Sequence, residues 1–299
     1  MSDKYTNLQL NSTNVRVNIF TKLFTNIIFS FFWVVAQKQL RKFIRKNFFT
    51  PRLYKPTDQE IELLKQADTF RIIVNDQHVS CWRWGTGPAI VYVHGWNGRG
   101  IQFYFFIKEA LAKGYSVITF DGPGHGESGG NTSSYFEMSD AVRGVLNHCK
   151  QDDIVAVVGH SFGGAAIVNA LHKDKHQIPA VLIAPALEIK EMLYTVFSTH
   201  GIPMNIFQTF IGEYEEKFGY NLVTDNPNNL LAKYHLNALI IHDRQDKVTS
   251  FSDSEQAAEK YQTIDLFDTN RLGHKKVMTD PNVVSETFKY IQSQYAEAV

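Results

Sequence analysis

Cysteine is scarce in this chain, and its scarcity argues against a disulfide-stabilised secreted domain. The 299 residues include two cysteines, Cys81 and Cys149. They cannot build a disulfide framework and do not stand in a C-x-x-C spacing that would bind metal. We therefore expect a protein of a reducing compartment with a cytoplasmic location, and the residues indicate neither a metal nor a cofactor.

Net charge is also absent, since 30 Lys and Arg residues balance 30 Asp and Glu residues. A balanced chain offers no overall charge argument for nucleic acid, and we expect no nucleic-acid partner. The charge is nevertheless distributed unevenly along the chain. Residues 1–56 contain ten Lys or Arg residues and one acidic residue, Asp3, so this segment carries +9 and the remainder −9.

A long hydrophobic run is missing as well. No stretch reaches the ~20 apolar residues of a membrane-spanning helix. The nearest one, LFTNIIFSFFWVVA at residues 23–36, contains Thr25, Asn26 and Ser30. The basic stretch QKQLRKFIRK follows it, in place of the small residues of a signal-peptide cleavage site.

Residues 1–56 nevertheless predict an N-terminal amphipathic helical extension. Apolar residues recur there at three- and four-residue spacing on one helical face: Ile19, Phe20, Leu23, Phe24, Ile27, Ile28, Phe31 and Phe32. Two interpretations are open. Either this face docks on the acidic remainder of the chain, which the charge balance favours, or residues 15–50 make peripheral contact with a membrane.

From Phe70 onward the pattern is that of alternating strands and helices. FRIIVN and HVSCWRWG predict a hairpin, and helical segments separate the later apolar stretches AIVYVHG, SVITFDG, IVAVVGHS, AVLIAPA, ALIIHD and TIDLFD. Such a pattern predicts an α/β fold with a mostly parallel sheet and helices on both faces. Residues 57–299 are expected to form this domain, with ligands bound at the carboxyl ends of its strands.

One interval, residues 187–235, interrupts the alternation. It has no strand pattern, only the aromatic-rich helical segments KEMLYTVFSTHG and NIFQTFIGEYEEKFG. Because the insertion leaves from a carboxyl-end loop, we interpret it as a small helical cap over a site, although additional core helix is the alternative. Its side chains Tyr194, Phe197, Phe207 and Phe210 are expected to line a substrate pocket.

The stretch VVGHSFGGAA places Ser161 between an apolar strand and a helix, with glycines on both sides. This G-x-S-x-G pattern is typical of a nucleophile on a strained strand-to-helix corner. A serine hydroxyl needs an adjacent base and a group that orients the base. His274, in the sequence LGHKKV after the last predicted strand, is the expected base.

Two carboxylates compete to orient that base. Asp243 directly ends the strand ALIIHD and is better suited to cap or turn the chain, so we favour Asp246 in the following loop. The chain order Ser, Asp, His is the one expected of this architecture. The backbone N–H groups of Trp96 and Phe162 are the expected oxyanion donors.

With HGW, FDGPGHGES, GHSFGG, HDRQD and GH in this order, residues 70–298 resemble the α/β-hydrolase superfamily, and within it a group of bacterial hydrolases known mostly as esterases. The resemblance implies Ser161 as nucleophile, Asp246 as acid and His274 as base, with oxyanion donors at Trp96 and Phe162. A serine at the corner argues against the dehalogenases and epoxide hydrolases of this fold, which use Asp there.

The function expected from these residues is a serine carboxylic-ester hydrolase that forms an acyl-enzyme with small to medium acyl esters. A thioesterase or acyltransferase of the same fold would use the same five residues. A catalytically idle binding protein is the alternative of another class, and the full set of catalytic residues speaks against it. The partner is then a small-molecule ester, and the oligomeric state is left open.

Overall fold

The computed structural model describes residues 19–298. Residues 1–18, among them positions 15–18 of the predicted membrane-contacting segment, and Val299 lie outside the described residues.

In the described part of the chain, eight strands form one sheet. The strands are β1 (Asp68–Val74), β2 (Gln77–Trp84), β3 (Ala89–Val93), β4 (Ser116–Phe120), β5 (Ile154–His160), β6 (Ala180–Ile183), β7 (Ala238–Asp243) and β8 (Ile264–Thr269). Their order across the sheet is β1-β2-β4-β3-β5-β6-β7-β8. Strand β2 pairs antiparallel with β1 and β4, and every other pair is parallel.

Twelve α-helices are found in residues 19–298. They are α1 (Ile19–Val35), α2 (Gln37–Phe48), α3 (Asp58–Leu64), α4 (Tyr104–Ala112), α5 (Tyr135–His148), α6 (Phe162–Asp174), α7 (Ile189–Thr199), α8 (Met204–Phe218), α9 (Pro227–Tyr234), α10 (Phe251–Lys260), α11 (Gly273–Lys276) and α12 (Pro281–Ala298). Short 3-10 turns cover Gly100–Phe103 and Val277–Thr279.

The sheet is buried on both faces, and strand β3 shows why its sequence is continuously apolar. Successive side chains of a strand point to opposite faces. Val91 and Val93 belong to one hydrophobic core, whereas Ile90 and Tyr92 belong to the other. Helices cover each face, so the predicted α/β fold with a mostly parallel sheet is confirmed.

The predicted hairpin is present as β1 and β2. Val74 pairs with Gln77, which leaves Asn75 and Asp76 as a two-residue turn with φ of 50° and 61°. A type I′ hairpin turn requires positive φ at both central positions, and Asn and Asp tolerate it better than most residues.

The interval 187–235 contains helices α7, α8 and α9 between β6 and β7. Helix α9 was not expected from the sequence, although Pro227 stands at its first turn, where proline is common. The bounds of the cap and of the N-terminal extension stay predictions.

Helix α2 joins the hydrophobic core, but α1 does not present the face that was expected. Leu40, Ile44 and Phe49 are buried in the same core as the cap helices. By contrast, the eight apolar residues of α1 that were expected to dock are between 36% and 78% exposed. The favoured docking of that face is therefore wrong.

The contacts that α1 makes with the cap and with α2 explain why its apolar face does not meet the protein. A side chain at Gly201 of the cap would collide with Thr25, so a polar position of α1 meets the cap there. Phe29 of α1 also lies 6.1 Å from Phe43 of α2, measured between ring centroids. Fourteen residues of one continuous helix would span ~21 Å, so α1 folds back against α2.

Candidate active site

Ser161 lies at the corner between β5 and α6, at the carboxyl end of a central strand. Its φ of 55° and ψ of −117° are strained for a residue with a side chain. Its N–H donates to Ile183 O at 2.8 Å, and its carbonyl accepts from Ala186 N–H at 3.2 Å. The neighbouring strand therefore holds the strained corner in place.

The glycines around Ser161 are required by close packing. A Cβ on Gly163 would stand 2.5 Å from His94 O and closer still to Val93 O. A Cβ on Gly159 would stand 2.8 Å from Gly164 N. Helix α6 can start directly at the corner only because these side chains are missing.

His274 connects Ser161 to Asp246. Its Nε2 lies 2.9 Å from Ser161 Oγ and its Nδ1 lies 2.7 Å from Asp246 Oδ2. The histidine lies in the short helix α11, an element that the sequence did not predict. Three side chains that are separated by up to 113 positions thus form one hydrogen-bonded chain.

Asp246 is a buried carboxylate with many donors. Its Oδ1 accepts the backbone N–H groups of Val248 at 2.7 Å and Thr249 at 3.2 Å. Its Oδ2 also accepts the Thr249 hydroxyl at 3.0 Å and lies 3.3 Å from His242 Nε2. Burial works to raise the pKa of Asp246, but the hydrogen bonds from His242 and His274 outweigh burial and hold the pKa below its usual value.

Asp243 makes a different set of contacts. Its Oδ1 accepts from Gln245 N–H at 2.9 Å, and its Oδ2 accepts from Thr269 Oγ and Leu272 N–H, each at 2.9 Å. These bonds brace the turn that leads to His274. The structure places Asp246, and not Asp243, against the histidine.

The loop after β3 passes directly over Ser161. A Cβ on Gly95 would stand 3.1 Å from Ser161 Cβ, so the backbone directly before Trp96 lies close to the serine. Among residues 19–298, neither the N–H of Trp96 nor that of Phe162 has a hydrogen-bond partner. Both groups are therefore available as donors, and their role in binding an oxyanion stays a prediction.

Two buried histidines support this loop. His94 accepts Gly122 N–H on Nε2 at 2.8 Å and donates from Nδ1 to Gly95 O at 2.7 Å. Burial lowers the pKa of His94 to about 4 and that of His125 to about 3. Both rings are therefore neutral near pH 7, and His94 has no nitrogen left for chemistry.

Sequence reasoning missed several residues around the site. Arg99 Nε donates to Asp121 Oδ2 at 3.0 Å, and this buried pair ties the Trp96 loop to the loop after β4. His242 and Thr249 hold Asp246, as described above. A polar residue at the end of the apolar stretch ALIIHD was the available signal for His242.

His160, which directly precedes Ser161, contacts the short helix that carries His274. Its Nε2 lies 3.0 Å from the carbonyl oxygen of His274, with the two rings 4.7 Å apart. The residue beside the proposed nucleophile therefore also holds the backbone of the proposed base.

The cap aromatics pack mainly with each other and with the N-terminal helices. Phe197 lies 5.2 Å from Phe207 and 4.8 Å from Phe48, and Phe210 lies 6.4 Å from Phe49, measured between ring centroids. Tyr194 packs on Phe207 at 5.7 Å and is half-buried. These are contacts of a hydrophobic core, and a part for these rings in a substrate pocket stays a prediction.

Comparisons with known proteins agree with this architecture. A family model described as alpha/beta hydrolase fold matches residues 88–201. A non-heme haloperoxidase of Rhodococcus erythropolis is 30% identical over 133 residues, which cover 42% of this chain and 47% of that protein. The chain spans about half the length of the curated relatives it matches.

Solved structures match over more of the chain at lower identity. An esterase of Butyrivibrio proteoclasticus with ferulic acid bound has a TM-score of 0.63 and 18% identity, and the match covers 76% of this chain and 99% of that one. An esterase of Pyrococcus furiosus has a TM-score of 0.64 and 17% identity, with 82% and 97% covered. Likeness at this identity shows the fold.

Proposed function

Since the chain belongs to the α/β-hydrolase superfamily, we propose that it is a serine carboxylic-ester hydrolase that acts through an acyl-enzyme. Its substrates are small-molecule esters with small to medium acyl chains. The proposal is supported by one observation above all: the hydrogen-bonded chain from Ser161 through His274 to Asp246, with Ser161 on a strained corner.

In the acylation step, His274 Nε2 takes the proton of the Ser161 hydroxyl as Oγ attacks the ester carbonyl carbon. The carbonyl oxygen becomes an oxyanion and accepts hydrogen bonds from the N–H groups of Trp96 and Phe162. The carbonyl then re-forms, the bond from its carbon to the alcohol oxygen breaks, and His274 gives its proton to that oxygen. The products of this step are the free alcohol and an ester of Ser161 with the acyl group.

In the deacylation step, water takes the place of the alcohol. His274 removes a proton from water, the hydroxide oxygen attacks the acyl carbon, and the same two N–H groups bind the second oxyanion. The bond to Ser161 Oγ breaks, Oγ recovers the proton from His274, and the carboxylic acid leaves. Asp246 accepts from His274 Nδ1–H throughout, which stabilises the imidazolium and keeps Nε2 directed at Ser161.

The experiment that tests the proposal compares Ser161→Ala with a matched serine variant. Ser139→Ala removes another buried hydroxyl, which bonds only Tyr135 O within helix α5. Ser161→Ala should lose kcat/KM for p-nitrophenyl esters by about 10⁴-fold or more, with its melting temperature retained. A fluorophosphonate probe should label the wild type and Ser139→Ala with one group per chain, and should not label Ser161→Ala.

Turnover by Ser161→Ala within tenfold of the wild type would contradict the serine mechanism. A wild-type chain that neither turns over any ester in a chain-length series nor reacts with the probe would favour the idle binding protein. Thioesters and added alcohols test the related activities, because a thioesterase prefers the former and an acyltransferase diverts the acyl group to the latter. Preference for long-chain esters would contradict the acyl-size part of the proposal.

A further inference from the structure

Helix α1 turns a wide apolar arc to solvent. Nine of its large apolar side chains are 36% to 82% exposed: Ile19, Leu23, Phe24, Ile27, Ile28, Phe31, Phe32, Val34 and Val35. At ~100° per residue they cover about 220° of the helix circumference. The other residues within that arc are Phe20, Thr21 and Ser30, so the arc carries no charge.

The opposite side of α1 faces the protein and is the more polar one. Its least exposed residues are Lys22, Thr25, Asn26, Phe29 and Trp33. A helix that docks only on its own protein core has the reverse distribution, with apolar residues inward and polar residues outward. The exposed arc therefore requires an apolar partner outside the described part of the chain.

The width of the arc indicates what that partner is. A packed helix typically buries an apolar stripe of ~100°, about half of the arc that α1 exposes. Protein interfaces also have a polar rim around their apolar centre, and α1 has no charged residue at the border of its exposed arc. A lipid interface surrounds the whole outer side of a helix that lies in it, and so matches a broad uncharged arc.

The charge of the adjacent helix supports the same partner. Helix α2 packs beside α1 through Phe29 and Phe43. Its side chains Lys38, Lys42, Arg45 and Lys46 are exposed, and within residues 19–298 no acidic group lies within 4 Å of any of them. Anionic lipid headgroups would supply the missing counter-charges.

No helix in residues 19–298 is long and apolar enough to cross a membrane.

We propose that α1 lies in the interface of an anionic lipid membrane, with its apolar arc among the acyl chains and the basic residues of α2 among the headgroups. The inference does not depend on ester hydrolysis. Trp33 of α1 lies 6.3 Å from Phe210 of α8, between ring centroids, so the membrane would contact the molecule on the side of its cap.

The test measures flotation of the full chain with vesicles of phosphatidylcholine, with and without phosphatidylglycerol. The triple variant Phe24→Ser, Phe31→Ser, Phe32→Ser removes three exposed rings from the arc. The partition coefficient should fall by about 100- to 1,000-fold, because each ring contributes roughly five- to tenfold in an interface. The matched control changes three exposed apolar residues elsewhere, Ile61, Ile73 and Phe105, to Ser and should bind as the wild type does.

A second arm changes Lys38, Lys42 and Lys46 to Gln. Binding to anionic vesicles should fall by about fivefold per charge removed, and added salt should weaken wild-type binding in the same direction. All variants should keep the wild-type melting temperature, since every substituted side chain is exposed.

Three results would overturn the proposal. One is a wild-type chain that does not float with anionic vesicles, and another is equal flotation of the arc variant and the wild type. The third is a wild-type dimer in solution that the arc variant converts to a monomer without any vesicle binding, which would assign the arc to a second copy of the chain.

Discussion

Replacing Asp246 with Asn tests the proposed site most sharply, because the surrounding hydrogen bonds determine which way the amide oxygen and the NH₂ group of Asn point. The backbone N–H groups of Val248 and Thr249 both point at Oδ1, so the amide oxygen has to take that position. The NH₂ group then faces His274 Nδ1 and donates to it. The proton of the neutral imidazole moves to Nε2, where it faces Ser161, and the ring can no longer take the serine proton.

The expected loss in kcat/KM is about 10⁴-fold, the size seen when such a base is held in the wrong tautomer, or about 5 kcal/mol of transition-state stabilisation. With the amide in the opposite orientation, its oxygen would again accept from His274, but the protein would lose stability. This orientation would leave two backbone donors facing an NH₂ group, at a cost on the order of 1–3 kcal/mol for each unsatisfied donor. The fold itself should survive, and labelling of Ser161 by a fluorophosphonate should slow in proportion.

Asp243→Asn is the matched control, three residues away on the same loop. Both oxygens of Asp243 accept hydrogen bonds, from Gln245 on one side and from Thr269 and Leu272 on the other. An amide leaves at least one backbone donor unsatisfied, so this variant should lose about 1–3 kcal/mol of stability. Its folded fraction should keep kcat/KM within about tenfold of the wild type.

The assay combines ester kinetics with thermal melting, so that each rate is expressed per folded molecule. If Asp243→Asn lowers kcat/KM more than Asp246→Asn, the assignment of the acid is refuted. Retention of activity within tenfold by Asp246→Asn would refute the tautomer argument.

Three further predictions follow from packing and burial. Gly163→Ala should destabilise the fold by roughly 3 kcal/mol or more in urea melts, because the added Cβ meets backbone carbonyls. The control Gly212→Ala has open space around the added Cβ and should be neutral or stabilising by up to ~1 kcal/mol. Equal effects of the two variants on stability would refute the packing argument. Between pH 6.5 and pH 5 the free energy of unfolding of the wild type should fall by about 1.6 kcal/mol relative to that of His125→Asn, because the folded ring stays neutral down to a pKa of about 3 while the unfolded ring binds a proton near 6.5; a pH-independent difference would contradict the lowered pKa. Deletion of residues 1–57 should yield an aggregating chain, because helix α2 contributes buried side chains to the main core; a soluble, cooperatively melting product would show the extension to be separable.

Much of the fold could be predicted because its signals are local. Apolar runs in β3 to β7 and the positive-φ turn at Asn75 and Asp76 depend on neighbouring residues only. The order of Ser161, Asp246 and His274 followed from the strand ends that carry them. Helix α9 and the helical setting of His274 were missed, since both elements are short and have weak periodic patterns.

Contacts between distant residues could not be predicted in the same way. Asp246 takes donors from His242 and Thr249 as well as from His274, and no local pattern marks a side chain that only supports another. The cap rings illustrate the same limit. Helical spacing grouped Phe197, Phe207 and Phe210 on inward faces, but could not tell whether substrate or Phe48 and Phe49 would meet them.

Sequence alone determined the class of fold, the corner at Ser161 and the strand ends at which the other side chains stand, because periodicity and turn chemistry act over a few residues. Only the tertiary structure decided which carboxylate reaches His274 and which face of α1 meets the protein. Both depend on the relative placement of elements far apart in the chain. For α1, Thr25 meets the cap at Gly201 and Trp33 packs on Phe210, so the uncharged apolar arc lies on the side away from the protein.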